Sequence, residues 1–229
     1  MTMETIHIWI LEFGIDLICM LVSLLMLIGY YARHHQRVKK NPSYSIHVVN
    51  KLARRIWVEN IMTNSGKELV AVQSLRNYIM YPILMVSTAA LLIIGTLTLS
   101  GQVDKISMSW HAANIVGSHA GSLWMVKVML LLADFLVAFF SYALSIRLAN
   151  HVLFMLNIPM DAQAEHQVLS PEHVANRLNQ SGYLISIGIR AFMFAIPLVF
   201  WLFGPLYLAL STAGVIVILS YIDRHDSGY

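Results

Sequence analysis

The chain has 229 residues, 58% hydrophobic and 12% charged, with a formal net charge of +3 and a mean hydropathy of +0.66. Soluble domains carry about 25% charged residues, so half that level excludes an ordinary water-soluble globule and places lipid around much of the surface. The single cysteine, Cys19, excludes an internal disulfide.

The first apolar run, residues 8–31, is about 24 residues long and crosses a bilayer comfortably. Met1 to His7 contain no Lys or Arg, and positive charge appears only after the run, at Arg33. A cleavable leader has the reverse order and a shorter apolar core, so an uncleaved anchor with an outside N-terminus is expected. Tyr30-Tyr31 and then Arg33-His34-His35 form an aromatic belt and a basic stop. Asn41-Pro42-Ser43 breaks the chain. In residues 45–62, Val48, Val49, Leu52, Ala53, Ile56 and Trp57 recur at helical spacing, with Asn50, Lys51, Arg54, Arg55 and Glu59 on the other face. That pattern is expected to be an amphipathic helix lying in the cytosolic interface.

Asn64-Ser65-Gly66 ends that helix, and a second span covers 69–99 with Pro82 as a kink candidate. A Gly- and Ser-punctuated loop follows, holding Trp110, His111 and His119. The third span covers 122–147, its helical pattern continuing toward Pro159. Ser170-Pro171-Glu172 is an N-cap followed by proline at the first helical position. It opens a short helix expected to close near Ser181-Gly182, before a fourth span at 183–203. Gly204-Pro205 makes a tight turn into a fifth span, 206–221, which ends at Asp223-Arg224-His225-Asp226. The expected architecture is an all-α integral membrane bundle: one polytopic domain over residues 1–229, five spans and one interfacial helix.

Arg33, Arg37, Lys39, Lys40, Lys51, Arg54, Arg55 and Lys67 lie between the first two spans, against Lys105 alone in the next loop. This asymmetry is an orientation signal rather than a nucleic-acid footprint. It implies a cytosolic C-terminus and contact with membrane lipids, and the compact form suggests a bacterial inner membrane. The absence of an internal repeat argues against an inverted-repeat transporter. A bundle this small points to a homo-oligomer or a larger membrane complex.

Arg76, Arg147 and Arg190 lie near the cytosolic ends of three different spans. Asn77 follows Arg76, and Asn150 and His151 share a helical face with Arg147. Convergence of these six would create an anion-binding pocket, since buried guanidiniums demand an anionic partner. The competing reading is that they snorkel to headgroups. Within the spans, Asp134 sits near mid-membrane at 1.5 Å per residue, Lys127 lies two turns earlier, and Glu12 and Asp16 are one turn apart. A pairing of Lys127 with Glu12 or Asp16 would relieve a buried charge, and a proton path through Asp134 is the alternative.

The ten histidines raise a metal hypothesis, but His111 and His119 lack a zinc-binding spacing. His151 is the best single ligand candidate, and Arg76, Arg147 and Arg190 beside it could pair with haem propionates. Without a Cys-x-x-Cys-His motif, such a haem b would be non-covalent. Methionines within the apolar runs are packing residues.

Several stretches together carry a family resemblance: Trp57; Ala71-Val72-Gln73-Ser74-Leu75-Arg76-Asn77-Tyr78-Ile79-Met80; Ser145-Ile146-Arg147-Leu148-Ala149-Asn150-His151-Val152; Arg177-Leu178-Asn179-Gln180-Ser181-Gly182; Gly188-Ile189-Arg190-Ala191-Phe192; and Pro197 with Trp201-Leu202-Phe203-Gly204-Pro205. In these the chain resembles a family of multi-pass membrane proteins named only as domain of unknown function 599. The resemblance implies a membrane fold and no activity. The expectation is therefore a non-enzymatic membrane protein binding an anionic lipid or cofactor, in an oligomer or as an accessory component. The alternatives are a haem-binding redox protein using His151 and a small transporter or channel using Asp134.

Overall fold

The computed structural model describes residues 3–41, 44–101, 121–158 and 166–223, with the backbone alone at 3–13 and 121–122. Six α-helices occupy them: α1 (Met3–Lys40), α2 (Ile46–Thr63), α3 (Glu68–Ser100), α4 (Gly121–Met155), α5 (Pro171–Phe203) and α6 (Pro205–Ile222). The all-α architecture is as expected, and five of the helices, all but α2, contain stretches long and apolar enough to cross a membrane.

One boundary expectation fails. Ser181 and Gly182 do not end a helix; α5 runs unbroken from Pro171 to Phe203, merging the expected short helix with the fourth span. The hydroxyl of Ser181 is used between helices instead: it donates to the Ser145 carbonyl at 3.0 Å and lies 2.9 Å from the Ser145 hydroxyl. α1 also continues beyond its expected span, to Lys40, while α4 runs on past Arg147 to Met155 as its helical pattern indicated. Pro82 and Pro197 are accommodated within α3 and α5. Such prolines are tolerated in spanning helices, where neighbouring groups re-satisfy the freed carbonyls.

The start of α5 follows its sequence signal, with Ser170 Oγ accepting from the His173 N–H at 3.4 Å. Between α5 and α6, Gly204 has φ 150 and ψ 159, a region essentially reserved for glycine. Pro205 then starts α6 with the φ that a helix requires.

The chain divides into two compact units, and α3, α4 and α5 contribute residues to both. In the first unit, α1 packs against α6, and Tyr30 donates to Asp223 Oδ2 at 2.8 Å. Its apolar core joins Trp124, Val128, Leu131 and Phe135 of α4 to Ala195 and Leu202 of α5. In the second unit, Val58, Ile61 and Met62 of α2 meet Ala71, Leu75 and Ile79 of α3, Ala149 and Val152 of α4, and Val174 and Leu178 of α5.

The buried face of α2 is therefore not the one its hydrophobicity suggests. Val48, Leu52 and Ile56 face outward, the last two more than half exposed. The helix turns His47 and Arg54 inward instead, both partly buried. An apolar outer surface beside an inward polar stripe is what a bilayer surrounding permits, because lipid solvates Leu and Ile as well as a core does.

Candidate anion-binding site

His47, Lys51 and Arg54 follow one another on α2 at helical spacing and share one face. That face meets α5. Arg54 Nε donates to Asn179 Oδ1 at 2.9 Å, and Arg190 Nη2 lies 3.2 Å from His47 Nε2. A guanidinium only donates, so Nε2 of His47 accepts. The neutral imidazole then carries its proton on Nδ1, 3.2 Å from the Ser186 hydroxyl. These side chains line a cavity of about 320 Å³, together with Val48, Gly182, Tyr183 and Ile187. None of the described lining residues is acidic.

Arg54 is the centre of this arrangement. Burial pulls its guanidinium below the ordinary arginine value, and the group still stays charged at any working pH. Among the described residues only its Nε has a hydrogen-bond partner, leaving the four N–H bonds of the two Nη groups for a ligand. Gly182 makes the placement possible, because a Cβ there would lie 2.7 Å from Arg54 Cζ. Arg54 also borders a second, larger cavity of about 540 Å³, lined by Asn50, Ala53, Trp57, Ser74, Leu75, Tyr78 and Leu178.

The six residues picked from sequence are distributed differently. Arg190 belongs to the α2–α5 cavity. Arg147, Asn150 and His151 are exposed and line a separate hollow of about 360 Å³ whose residues all come from α4. Arg76 and Asn77 are exposed on α3. A haem edge at His151 would meet no wall from a second helix among the lining residues. His111 and His119 lie outside the described residues, as does the side chain of Glu12. Among the described residues no group of three or more His, Cys, Asp or Glu is placed to hold a metal ion.

The first unit contains the intramembrane charges. Lys127 Nζ lies 2.9 Å from Asp16 Oδ1, with both side chains almost fully buried. Trp201 closes the group: its Nε1 donates to Asp16 Oδ1 at 3.0 Å, and its carbonyl accepts from Lys127 at 3.3 Å. The ammonium also lies 5.0 Å from the centroid of the Trp201 ring, a favourable cation–π placement. Asp134 is two turns further along α4, and its Oδ2 is buried without a hydrogen-bond partner among the described residues.

His47, Lys51 and Arg54 escaped the sequence reading because α2 looked like an interfacial helix with its cations in water. The available signal was the stripe 47-51-54-58-61, in which three basic residues lead directly into Val58 and Ile61.

Fold and charge together define a polytopic helical membrane protein with a cluster of cations lodged between two of its helices. The family model described as "Protein of unknown function, DUF599" matches residues 18–227. The chain belongs to that family, as the sequence motifs indicated. No curated protein and no solved structure matches it.

Proposed function

We propose that the protein is a non-enzymatic membrane component that binds an anionic ligand, a phosphate or carboxylate group, between α2 and α5. The observation that carries this reading is the convergence of Lys51, Arg54 and Arg190 with His47 on one cavity whose described lining contains no acid. Guanidinium and ammonium donors gathered in a partly desolvated cleft favour an oxyanion strongly. Arg190 comes from the sequence-derived set; the other cations of the cleft come from α2. The basic residues flanking α2 place the cleft on the cytosolic side by the positive-inside bias, with the N-terminus outside.

Binding to the native state raises the melting temperature by mass action. The purified protein should therefore be stabilised in detergent by an added anionic phospholipid and not by a zwitterionic one. The double variant Lys51→Gln/Arg54→Gln should lose that difference. Equal stabilisation of the wild type by both lipids would overturn the reading.

A second reading rests on Asp134, whose buried, unpartnered carboxylate oxygen suits a group that takes up and releases a proton within a span. It predicts proton or solute flux in liposomes that Asp134→Asn abolishes. Equal flux in the variant would remove it.

A further inference from the structure

Arg54 lines two cavities. On the α5 side are Lys51, His47 and Arg190; on the α3 side are Trp57, Leu75 and Leu178. The second cavity sets these apolar side chains beside Asn50, Ser74 and Tyr78, and both volumes fall within the range of about 300–1,000 Å³ typical of small-molecule sites. Among the described residues the guanidinium is held by Nε alone, and it presents its remaining N–H bonds at the boundary. A ligand that satisfied both cavities would need a compact anionic head joined to an apolar body.

From this juxtaposition we infer that the occupant is an anionic phospholipid, its phosphate held by Arg54, Lys51 and Arg190 and an acyl chain laid over Trp57, Leu75 and Leu178. The inference rests on the anion-binding reading above and deepens it. The outer face of α2 supplies the source. Val48, Leu52 and Ile56 are exposed, so the helix presents an apolar surface to its surroundings while Arg54 and His47 point inward. A helix so arranged is bathed by lipid, and the amphiphile at hand beside both cavities is a lipid of the adjoining leaflet. A small free anion would satisfy the cations and leave the larger cavity, with Trp57 in its wall, unfilled. Each methylene buried there adds affinity that a head group alone lacks.

The test compares glycerol phosphate, dioleoyl phosphatidylglycerol and dioleoyl phosphatidylcholine binding to the full-length protein in detergent, read by native mass spectrometry. The wild type should bind phosphatidylglycerol more tightly than glycerol phosphate by about tenfold or more, since two buried methylenes already suffice for that factor, and more tightly than phosphatidylcholine, whose head group carries no net charge. Ala53→Trp fills the apolar cavity from an exposed position of α2, and Ser74→Phe fills it from α3, so a folding defect in one variant leaves the other informative. Either should bring the affinity for the long-chain lipid down toward that for glycerol phosphate. If wild type binds glycerol phosphate and phosphatidylglycerol equally, and both more tightly than phosphatidylcholine, the acyl-chain site is overturned and the anion site stands. If all three bind alike, and Arg54→Gln changes none of them, the anion site fails and this inference fails with it.

Discussion

Arg54 and Gly182 act as one device. The glycine lets the guanidinium lie against the α5 backbone, where a Cβ would come within 2.7 Å of it. A side chain at that position has only the flexible tip of an arginine to displace, and alanine is the better helix former by about 1 kcal/mol. Gly182→Ala should therefore leave the melting temperature unchanged or slightly higher while weakening anion binding about tenfold, the worth of one or two charge-assisted hydrogen bonds. Melting curves with and without anionic lipid separate the two effects; a variant that lost stability and kept binding would contradict this role. Asp16 and Lys127 are the opposite case, a pair whose value is mutual neutralisation. Lys127→Met alone leaves the buried carboxylate without its counter-charge and should cost about 3–5 kcal/mol. The double variant Asp16→Asn/Lys127→Met keeps an acceptor for Trp201 and removes both charges, so it should recover most of that loss. Reversible unfolding in mixed micelles measures both, and a double variant no better than the single would show that the pair contributes more than cancellation.

At the scale of helices, the sequence was legible wherever lipid and turn chemistry speak and illegible where packing decides. Both ends of α2 and α3 fall within a residue or so of their expected limits, because Asn64-Ser65-Gly66 and the change in hydropathy mark them. Ser181-Gly182 has the composition of a break but is consumed by packing. Its serine bonds Ser145, which also donates to the Ser181 carbonyl at 3.1 Å, and its glycine receives Arg54. Small residues in spanning helices commonly serve close approach in this way. The inward face of α2 was misjudged for a related reason: in lipid, hydrophobicity does not distinguish outside from core, so Leu52 and Ile56 carry no information about which side is buried. Arg190 was visible as an arginine near a span end, while its partner His47 required knowing which face of α2 meets α5. The junction of α5 and α6 is a true break. With φ 150 at Gly204, Gly204→Ala forces a Cβ into a region that costs of order 1–3 kcal/mol. It should lower the melting temperature of the detergent-solubilised protein, and an unchanged value would mean that the turn relaxes without cost.

For the whole molecule, five helices long and apolar enough to cross a membrane make an odd number of crossings, so the two termini would lie on opposite sides. The distribution of Lys and Arg is the basis for the proposed orientation. Lys39 and Lys40 close α1, Arg55 and Lys67 follow before α3, and Lys105 stands alone between α3 and α4. Short loops rich in Lys and Arg are retained in the cytosol, and the anionic leaflet surface reinforces the choice by about 1 kcal/mol per nearby cation. In the proposed orientation the cation-lined cavity would lie at the cytosolic leaflet, within reach of anionic headgroups. Cys19 is the only native thiol, so a Cys19→Ser background permits single reporters at will. In intact cells, a cysteine replacing Lys105 should react with a membrane-impermeant maleimide, and one replacing Lys67 should react only after the cells are opened. The reverse pattern would invert the molecule. Labelling of both reporters in intact cells would remove one crossing between them and, with it, the five-span topology that brings the cleft between α2 and α5 to the inner leaflet.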